Sequence, residues 1–149
     1  MKKTAILLGA SGLTGSLLLK LLLSDSEFDK IKLFSRKASG HTNPKIEEHI
    51  VDVLQLQNCA ADFIGDVVFC CIGTTKDKTP DETDYKSIDF GIPVAAAKLA
   101  KQNNIPAFIV ISALGANSKS LIFYNRIKGE MEQSVMALKI HKTHILEPS

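Results

Sequence analysis

The chain has 149 residues, of which 45% are hydrophobic and 23% are charged, and its formal net charge is +2. This composition is typical of a globular protein with a substantial hydrophobic core, and it excludes a disordered or fibrous chain. The small net charge excludes an extended basic surface for nucleic acid or for a membrane, so any site for an anion has to be local.

The first predicted elements are a strand and a helix joined by a glycine-rich turn. Residues 4–8 form a short apolar run that ends at Gly9. Five leucines then recur at helical spacing, and we expect them to form the buried side of the helix: Leu13, Leu17, Leu18, Leu21 and Leu22. The alternative for this segment is a secretory signal, because Lys2 and Lys3 precede an uncharged run, although glycines interrupt that run and no clear cleavage site follows it.

The remainder of the chain alternates short apolar runs with helical patterns, which is typical of βαβ units. Further strands are predicted at residues 31–34, 49–51, 67–72, 107–111 and 144–146. Helices are predicted around residues 95–100 and 127–138, and Pro93 would then lie in a first turn that Asp89 caps. Right-handed crossovers give an α/β fold, a doubly wound parallel sheet of about six strands with helices on both faces and a ligand crevice at the carboxyl ends of the strands.

The turn Gly9-Ala10-Ser11-Gly12-Leu13-Thr14-Gly15 carries the strongest functional signal. Between a strand and a helix, the first glycine allows a tight turn, the second lets the backbone approach a pyrophosphate, and the third permits close helix–strand packing. The helix N-terminus also offers unpaired N–H groups to phosphates. We predict a dinucleotide site, and the alternative is a glycine-rich turn that binds nothing. The predicted ligands are Gly9, Ser11, Gly12, Leu13, Thr14 and Gly15.

The end of the second predicted strand indicates which dinucleotide binds. A site that prefers NAD usually has an acidic residue there, whereas this strand runs into Ser35-Arg36-Lys37. Two cations suit a 2′-phosphate, and an arginine can bind it with two parallel hydrogen bonds. We therefore predict that Arg36 and Lys37 favour NADP(H) over NAD(H). The alternative is a solvated basic turn.

Tyr124 and Lys128 form the candidate pair for proton transfer. They stand four residues apart, so on a helix they share a face. A nearby ammonium favours the ionised tyrosine and makes it a usable proton donor. The alternative is an ordinary exposed pair on a helix.

The cysteines and histidines do not suggest a metal site. Cys59, Cys70 and Cys71 are odd in number and lack zinc spacing, so we interpret them as reduced thiols and expect a cytoplasmic protein. His141 and His144 are three residues apart, but no acidic or cysteine partner stands at ligand spacing.

Four further blocks accompany the glycine turn: Leu33-Phe34-Ser35-Arg36-Lys37, Phe69-Cys70-Cys71-Ile72-Gly73-Thr74-Thr75, Ile111-Ser112-Ala113-Leu114-Gly115-Ala116-Asn117 and Tyr124-Asn125-Arg126-Ile127-Lys128-Gly129-Glu130. With these blocks the chain resembles, over nearly its whole length, the Tat-interacting-protein-like branch of the atypical short-chain dehydrogenases/reductases. The resemblance implies a Rossmann fold that binds NADP(H).

The resemblance also implies roles for individual residues. Tyr124 would donate the proton, Lys128 would orient the nicotinamide ribose, and Ser112 would hold the substrate carbonyl. The residues implied near the adenine and its ribose are Asp52, Val53, Cys71, Ile72, Gly73 and Thr74. The implied activity is reduction of a carbonyl-like group by NADPH. The alternative is a non-catalytic NADP(H) sensor that shapes a surface for a protein partner.

One departure from the family concerns the end of the sequence. Family members tend to have Arg-Pro after the sixth strand, where this chain has Glu147-Pro148. Family members also continue through further strands and helices that cover the substrate. We therefore expect residues 1–149 to form a single NAD(P)-binding domain without that cover.

Overall fold

The computed structural model describes residues 2–149 and contains one parallel sheet of six strands. The strands are β1 (Lys3–Leu8), β2 (Phe28–Ser35), β3 (Ile46–Ile50), β4 (Val67–Cys70), β5 (Ala107–Ile111) and β6 (Lys142–Leu146). Their spatial order is β3-β2-β1-β4-β5-β6, and all neighbours are parallel. The predicted doubly wound sheet is confirmed. Its strand order reverses between β1 and β4, where open α/β sheets bind ligands.

Strand β1 is apolar because it is buried on both faces of the sheet. It pairs with β2 on one side and with β4 on the other, and Ala5, Ile6, Leu7 and Leu8 have no exposed surface. Continuous apolar runs are typical of central strands in parallel sheets. The apolar run of β1 therefore belongs to the core of the sheet.

Helices cover both faces of the sheet, as predicted. The helices are α1 (Leu13–Ser24), α2 (Glu82–Lys86), α3 (Ile92–Gln102) and α4 (Phe123–Ala137). Helix α1 packs on one face through Leu19 and Leu22, and α3 and α4 pack on the other face, where Leu99 and Met131 are buried. Within residues 2–149, no helix combines the length and the apolar character needed to cross a membrane.

The prediction of which side of α1 faces the sheet is wrong. The buried residues are Gly15, Leu19 and Leu22. Three leucines that were expected to be buried are instead exposed: Leu13 is 82% exposed, Leu17 is 54% exposed and Leu21 is 66% exposed. Because seven of the twelve residues of this helix are leucines that are spread around its circumference, the leucine spacing does not define one face. The close contact of Gly15 with the preceding turn sets the orientation instead, since a Cβ at Gly15 would lie 1.8 Å from the carbonyl oxygen of Gly9.

Asp89 does not cap the helix that contains Pro93, as the sequence had suggested. Helix α2 continues through a π-helical turn, Ser87–Gly91, directly into α3, and Asp89 lies inside that turn with no exposed surface. Gly91 precedes α3 and no side chain caps it. A helix that continues from a preceding helical turn needs no side-chain cap, because backbone carbonyls of that turn accept from its first N–H groups. The Asp89 carboxylate is thus available for other partners.

Candidate functional site

The glycine-rich turn forms a cradle of backbone, residues 9–15, at the carboxyl end of β1. Gly9 has a φ of +88°, which favours glycine. A Cβ at Gly9 would lie 2.7 Å from the carbonyl carbon and oxygen of Cys71, so this turn touches the loop after β4. A Cβ at Gly15 would overlap the Gly9 carbonyl. The first and third glycines therefore hold the cradle together.

The middle glycine of the cradle opens onto free space. Gly12 precedes α1, no side chain caps the helix, and a Cβ at Gly12 would touch only the carbonyl oxygen of Gly9, at 3.6 Å. The neighbouring Ser11, Leu13 and Thr14 are exposed. The first N–H groups of a helix have no partners within it. An open, uncapped N-terminus of this kind fits a pyrophosphate.

Arg36 and Lys37 follow β2 and lie beside the cradle, because β2 is the neighbour of β1. Both side chains are exposed, and neither forms an ion pair within residues 2–149. The hydroxyl of Ser35 donates to the carbonyl of Lys37 at 2.8 Å, and Ser39 donates to the carboxylate of Glu48 on β3. The loop is thus attached at both ends while its two cations face solvent.

Asp52 and Val53 lie past the end of β3, at the edge of the sheet. The carboxylate of Asp52 accepts from the N–H of Leu54 at 3.0 Å and caps a short 3₁₀ segment, Val53–Cys59. Val53 is half-buried against the core. The ends of β2 and β1 separate these two residues from the loop after β4. Within the described residues, no side-chain hydrogen bond joins Asp52 to the loop after β4, whereas Val53 and Ile72 pack against the same core cluster.

The loop after β4, which we call the β4 loop, consists of Cys71, Ile72, Gly73 and Thr74. The N–H of Cys71 donates to the carbonyl of Leu8 at 2.9 Å, which attaches the loop to the start of the cradle. The N–H of Thr74 donates to Oδ1 of Asp89 at 2.8 Å. The loop thus connects the cradle to the π-helical turn.

Lys128 lies on α4 and reaches the β4 loop. Its Nζ is 3.0 Å from Oδ2 of Asp89, and the two side chains are 12% and 0% exposed. A Cβ at Gly73 would lie 3.8 Å from both the Lys128 Nζ and the Asp89 Oδ1. The ion pair is therefore buried directly against the backbone of the β4 loop.

Tyr124 is one turn before Lys128 on the same helix, as the four-residue spacing predicts. Its ring is half-buried and meets the ring of Tyr85 edge-on, with 4.7 Å between centroids. Nζ of Lys76, in the segment between β4 and α2, lies 6.0 Å from the Tyr124 centroid. Burial raises the pKa of the Tyr85 phenol, and a hydrogen bond to Asp89 raises it further, so Tyr85 stays neutral beside Tyr124.

Ser112 follows β5 and is 5% exposed. Its hydroxyl donates to Oε2 of Glu132 on α4 at 2.5 Å. Burial raises the pKa of Glu132, and the hydrogen bond from Ser112 opposes that rise. The Ser112 hydroxyl is therefore engaged within the protein, and it would have to leave Glu132 to hold a substrate carbonyl.

Asp89 is a buried residue of this cluster whose contacts the sequence analysis missed. Aspartate is rarely fully buried unless it is paired, and the flanking Ile88 and Phe90 do not indicate burial, because successive residues of a helix point in different directions. The helix-capping interpretation used only local spacing. The partners of Asp89 are Thr74 and Lys128, which are distant from it in sequence, so spacing alone does not reveal them.

Comparison with known proteins assigns the family. Residues 9–149 match the family model described as NAD(P)H-binding. The chain belongs to this NAD(P)H-binding family. It is 34% identical to the protein FMP52-1, mitochondrial, of Scheffersomyces stipitis over 152 residues, which cover 97% of this chain and 66% of that protein. It is 33% identical to the rat protein HTATIP2 over 150 residues, which cover 98% of this chain and 62% of that protein. The resemblance to the Tat-interacting-protein-like branch is thus confirmed.

Solved structures support the fold. The chain is similar to UDP-glucuronic acid 4-epimerase from Bacillus cereus in complex with NAD, with a TM-score of 0.75 and 19% identity over 97% of this chain and 56% of that one. It is also similar to MoeE5 in complex with UDP-glucuronic acid and NAD, with a TM-score of 0.79 and 16% identity over 97% of this chain and 54% of that one. At these identities the likeness establishes the Rossmann fold.

The relatives correct one expectation and show a difference in length. The expected cytoplasmic location is contradicted, because several relatives, among them FMP52 of Meyerozyma guilliermondii at 36% identity, are named mitochondrial. Reduced thiols indicate a reducing compartment, but they do not single out the cytoplasm. The chain spans 66% of the length of the Scheffersomyces stipitis protein, 63% of the Meyerozyma guilliermondii protein and 62% of the rat protein.

Proposed function

We propose that this chain is the NADP(H)-binding domain of a reductase of the atypical short-chain dehydrogenase type, acting on a carbonyl or similar group. The observation that carries this proposal is the open backbone cradle at the end of β1, in direct contact with the β4 loop that Lys128 reaches. Both lie where the strand order reverses. The membership of the NAD(P)H-binding family supports the cofactor class.

The proposal assigns the cradle to the pyrophosphate and the basic loop to the 2′-phosphate. Exposed N–H groups at the start of α1 would bind the pyrophosphate, and Gly12 leaves the space that this approach needs. Arg36 and Lys37 would bind the 2′-phosphate and favour NADP(H) over NAD(H). The β4 loop would lie along the cofactor, with Asp52 and Val53 at its adenine end.

The proposed chemistry depends on α4. Bound NADPH would supply a hydride to the substrate carbonyl. The hydroxyl of Tyr124 would donate the proton that the resulting oxyanion needs. Lys128, held by Asp89, would bind the nicotinamide ribose. Ser112 would orient the carbonyl once its hydroxyl has turned away from Glu132.

A second candidate function is a non-catalytic NADP(H) sensor whose bound form presents a surface to a protein partner. The observation that favours it is that two polar groups assigned to chemistry have partners within the protein. Ser112 donates to Glu132, and Lys128 is paired with a buried aspartate. In this function the cradle and Arg36 keep their roles, and Tyr124 is only part of an aromatic cluster.

Tyr124→Phe separates the two functions. The variant keeps the ring and its edge-on contacts but removes the proton donor. If the protein is a reductase, we expect turnover to fall about 100-fold or more while NADPH affinity stays the same. The measurement is steady-state oxidation of NADPH with a panel of small aldehydes and ketones, together with calorimetric titration of NADPH. Equal turnover of the variant and the unaltered chain would rule out the mechanism. Tight NADPH binding with no turnover above background by the unaltered chain would favour the sensor.

A further inference from the structure

The buried carboxylate of Asp89 joins three parts of the molecule. It has no exposed surface, it lies in the π-helical turn, and it contacts the ammonium of Lys128 on α4 and the N–H of Thr74 in the β4 loop. A buried charge is costly unless it is paired and hydrogen-bonded. Oδ1 accepts from the N–H of Thr74, and Oδ2 is paired with the Lys128 ammonium but has no hydrogen bond within the described residues.

Stability alone does not explain this arrangement. A buried ion pair contributes little net stability, and a well-packed apolar pair of similar volume is often as stable or more stable. Lysine, by contrast, has a long flexible side chain whose ammonium is not fixed by the backbone. The contact with Asp89 selects one position for the Lys128 ammonium, against the backbone of Gly73. An ammonium has three donors, and this contact uses one, which leaves two for a ligand.

The helical geometry around Asp89 is also unusual. The π-helical turn Ser87–Gly91 interrupts the path from α2 to α3, and such turns are frequent at functional sites. The wider turn changes the direction in which the Asp89 side chain points relative to α3. It aims the carboxylate at the gap between the β4 loop and α4, where both Thr74 and Lys128 reach it.

We propose that Asp89 is a positioning residue of the nucleotide site, which fixes the Lys128 ammonium in the arrangement that binds NADP(H). This inference rests on the proposed function and adds to it a residue that acts through Lys128. Asp89 itself remains shielded from the ligand by its partners. Its loss should therefore weaken binding only as far as Lys128 contributes to binding.

A double-mutant cycle on binding tests this inference without any need for turnover. The variants are Asp89→Asn, Lys128→Met and the double variant, with Asp84→Asn, an exposed acid on α2, as the matched control. Each is titrated with NADPH by calorimetry, and its folding is checked by urea unfolding. We expect Asp89→Asn to weaken NADPH binding about tenfold, and Lys128→Met to weaken it at least as much. The double variant should bind within about twofold of Lys128→Met, and Asp84→Asn should bind like the unaltered chain.

Two outcomes overturn the inference alone. One is a folded Asp89→Asn variant with unchanged NADPH affinity, and the other is a further tenfold loss when Asp89→Asn is added to Lys128→Met. If Asp89→Asn does not fold, Asp89→Glu keeps the charge and displaces it by one methylene. A tenfold loss of affinity in that variant supports positioning, and unchanged affinity overturns it. If the unaltered chain binds no NADPH at all, the proposed function is wrong and this inference is overturned with it.

Discussion

The two halves of the candidate site are built in opposite ways. The cradle at residues 9–15 uses backbone groups, lies open to solvent and comes from one short stretch of sequence. The cluster around Asp89 uses side chains, is buried and comes from segments up to 54 residues apart, since Thr74 and Lys128 both meet Asp89. A backbone site depends on local conformation, whereas a side-chain cluster depends on the whole fold. The first therefore requires glycine at positions 9 and 15, and the second tolerates few changes of charge.

The largest effect is expected inside the cradle, where the same substitution at two glycines should have different consequences. Gly15→Val places atoms on the Gly9 carbonyl, so we expect a loss of roughly 3 kcal/mol or more in the free energy of unfolding. Gly12→Val meets only an ordinary contact at 3.6 Å and should cost about 1 kcal/mol. It should nevertheless abolish NADPH binding, because its side chain occupies the open space above the helix N-terminus. Urea unfolding and NADPH titration measure the two effects.

This pair of variants also tests whether the cradle is the phosphate site. A folded Gly12→Val variant with the NADPH affinity of the unaltered chain would place the phosphates elsewhere. Wild-type stability in Gly15→Val would mean that the Gly9 carbonyl yields more easily than its contacts indicate.

A smaller effect is expected at the edge of the cradle. Arg36→Ala removes a charged donor to the 2′-phosphate, so NADPH binding should weaken by about 1.5–3 kcal/mol while NADH binding stays the same. Calorimetric titration with both nucleotides measures the difference, and Lys98→Ala, an exposed lysine on α3, is the control. Equal affinity of the unaltered chain for the two nucleotides would contradict the assignment of Arg36.

The smallest effect concerns charge and pH. Burial raises the pKa of Glu132 above its ordinary 4.5, so its stabilising contribution is present below pH 4.5 and is lost as the pH rises through the raised value. The hydrogen bond with His49 lowers the pKa of Glu47 on β3, so that contribution is present above pH 4.5 and is lost on acidification. Urea unfolding at pH values below 4.5 and at neutral pH should show that, at neutral pH, Glu132→Gln stabilises the protein and Glu47→Gln destabilises it. The same sign for both variants would contradict this assignment.

The sequence was sufficient for the sheet and for the cradle, because both follow from local patterns. A strand, a glycine turn and a helix in series place Gly9, Gly12 and Gly15 with little reference to the rest of the chain. The strands were also located, although β2 extends to Phe28 and β3 begins at Ile46, both earlier than predicted. Residues near the ends of a strand are less apolar than those in its middle, so the spacing of apolar residues locates the ends of a strand poorly.

The orientation of α1 and the contacts of Asp89 were not predicted, because both depend on tertiary contacts. In a helix with seven leucines among twelve residues, the contact of Gly15 with the cradle decides which leucines are buried. Asp89 fits the local pattern of a helix cap, but its carboxylate instead contacts Thr74 in the β4 loop and Lys128 on α4. The engagement of Ser112 with Glu132 likewise depends on the packing of β5 against α4, which no spacing within either element records.

The contact between Gly9 and the Cys71 backbone has a thermodynamic consequence for selectivity. Because the cradle is fixed by its own contacts, a nucleotide that enters it loses little entropy to the ordering of protein groups. Arg36 and Lys37 are free in solvent, and holding each of them on a phosphate costs about 0.5–1.5 kcal/mol in side-chain entropy. In the proposed function, the rigid part of the site would bind what NAD and NADP share, at little entropic cost. The two cations proposed to distinguish them would give back some of their binding energy, so we expect the preference for NADP(H) to be smaller than the strength of the phosphate contacts themselves.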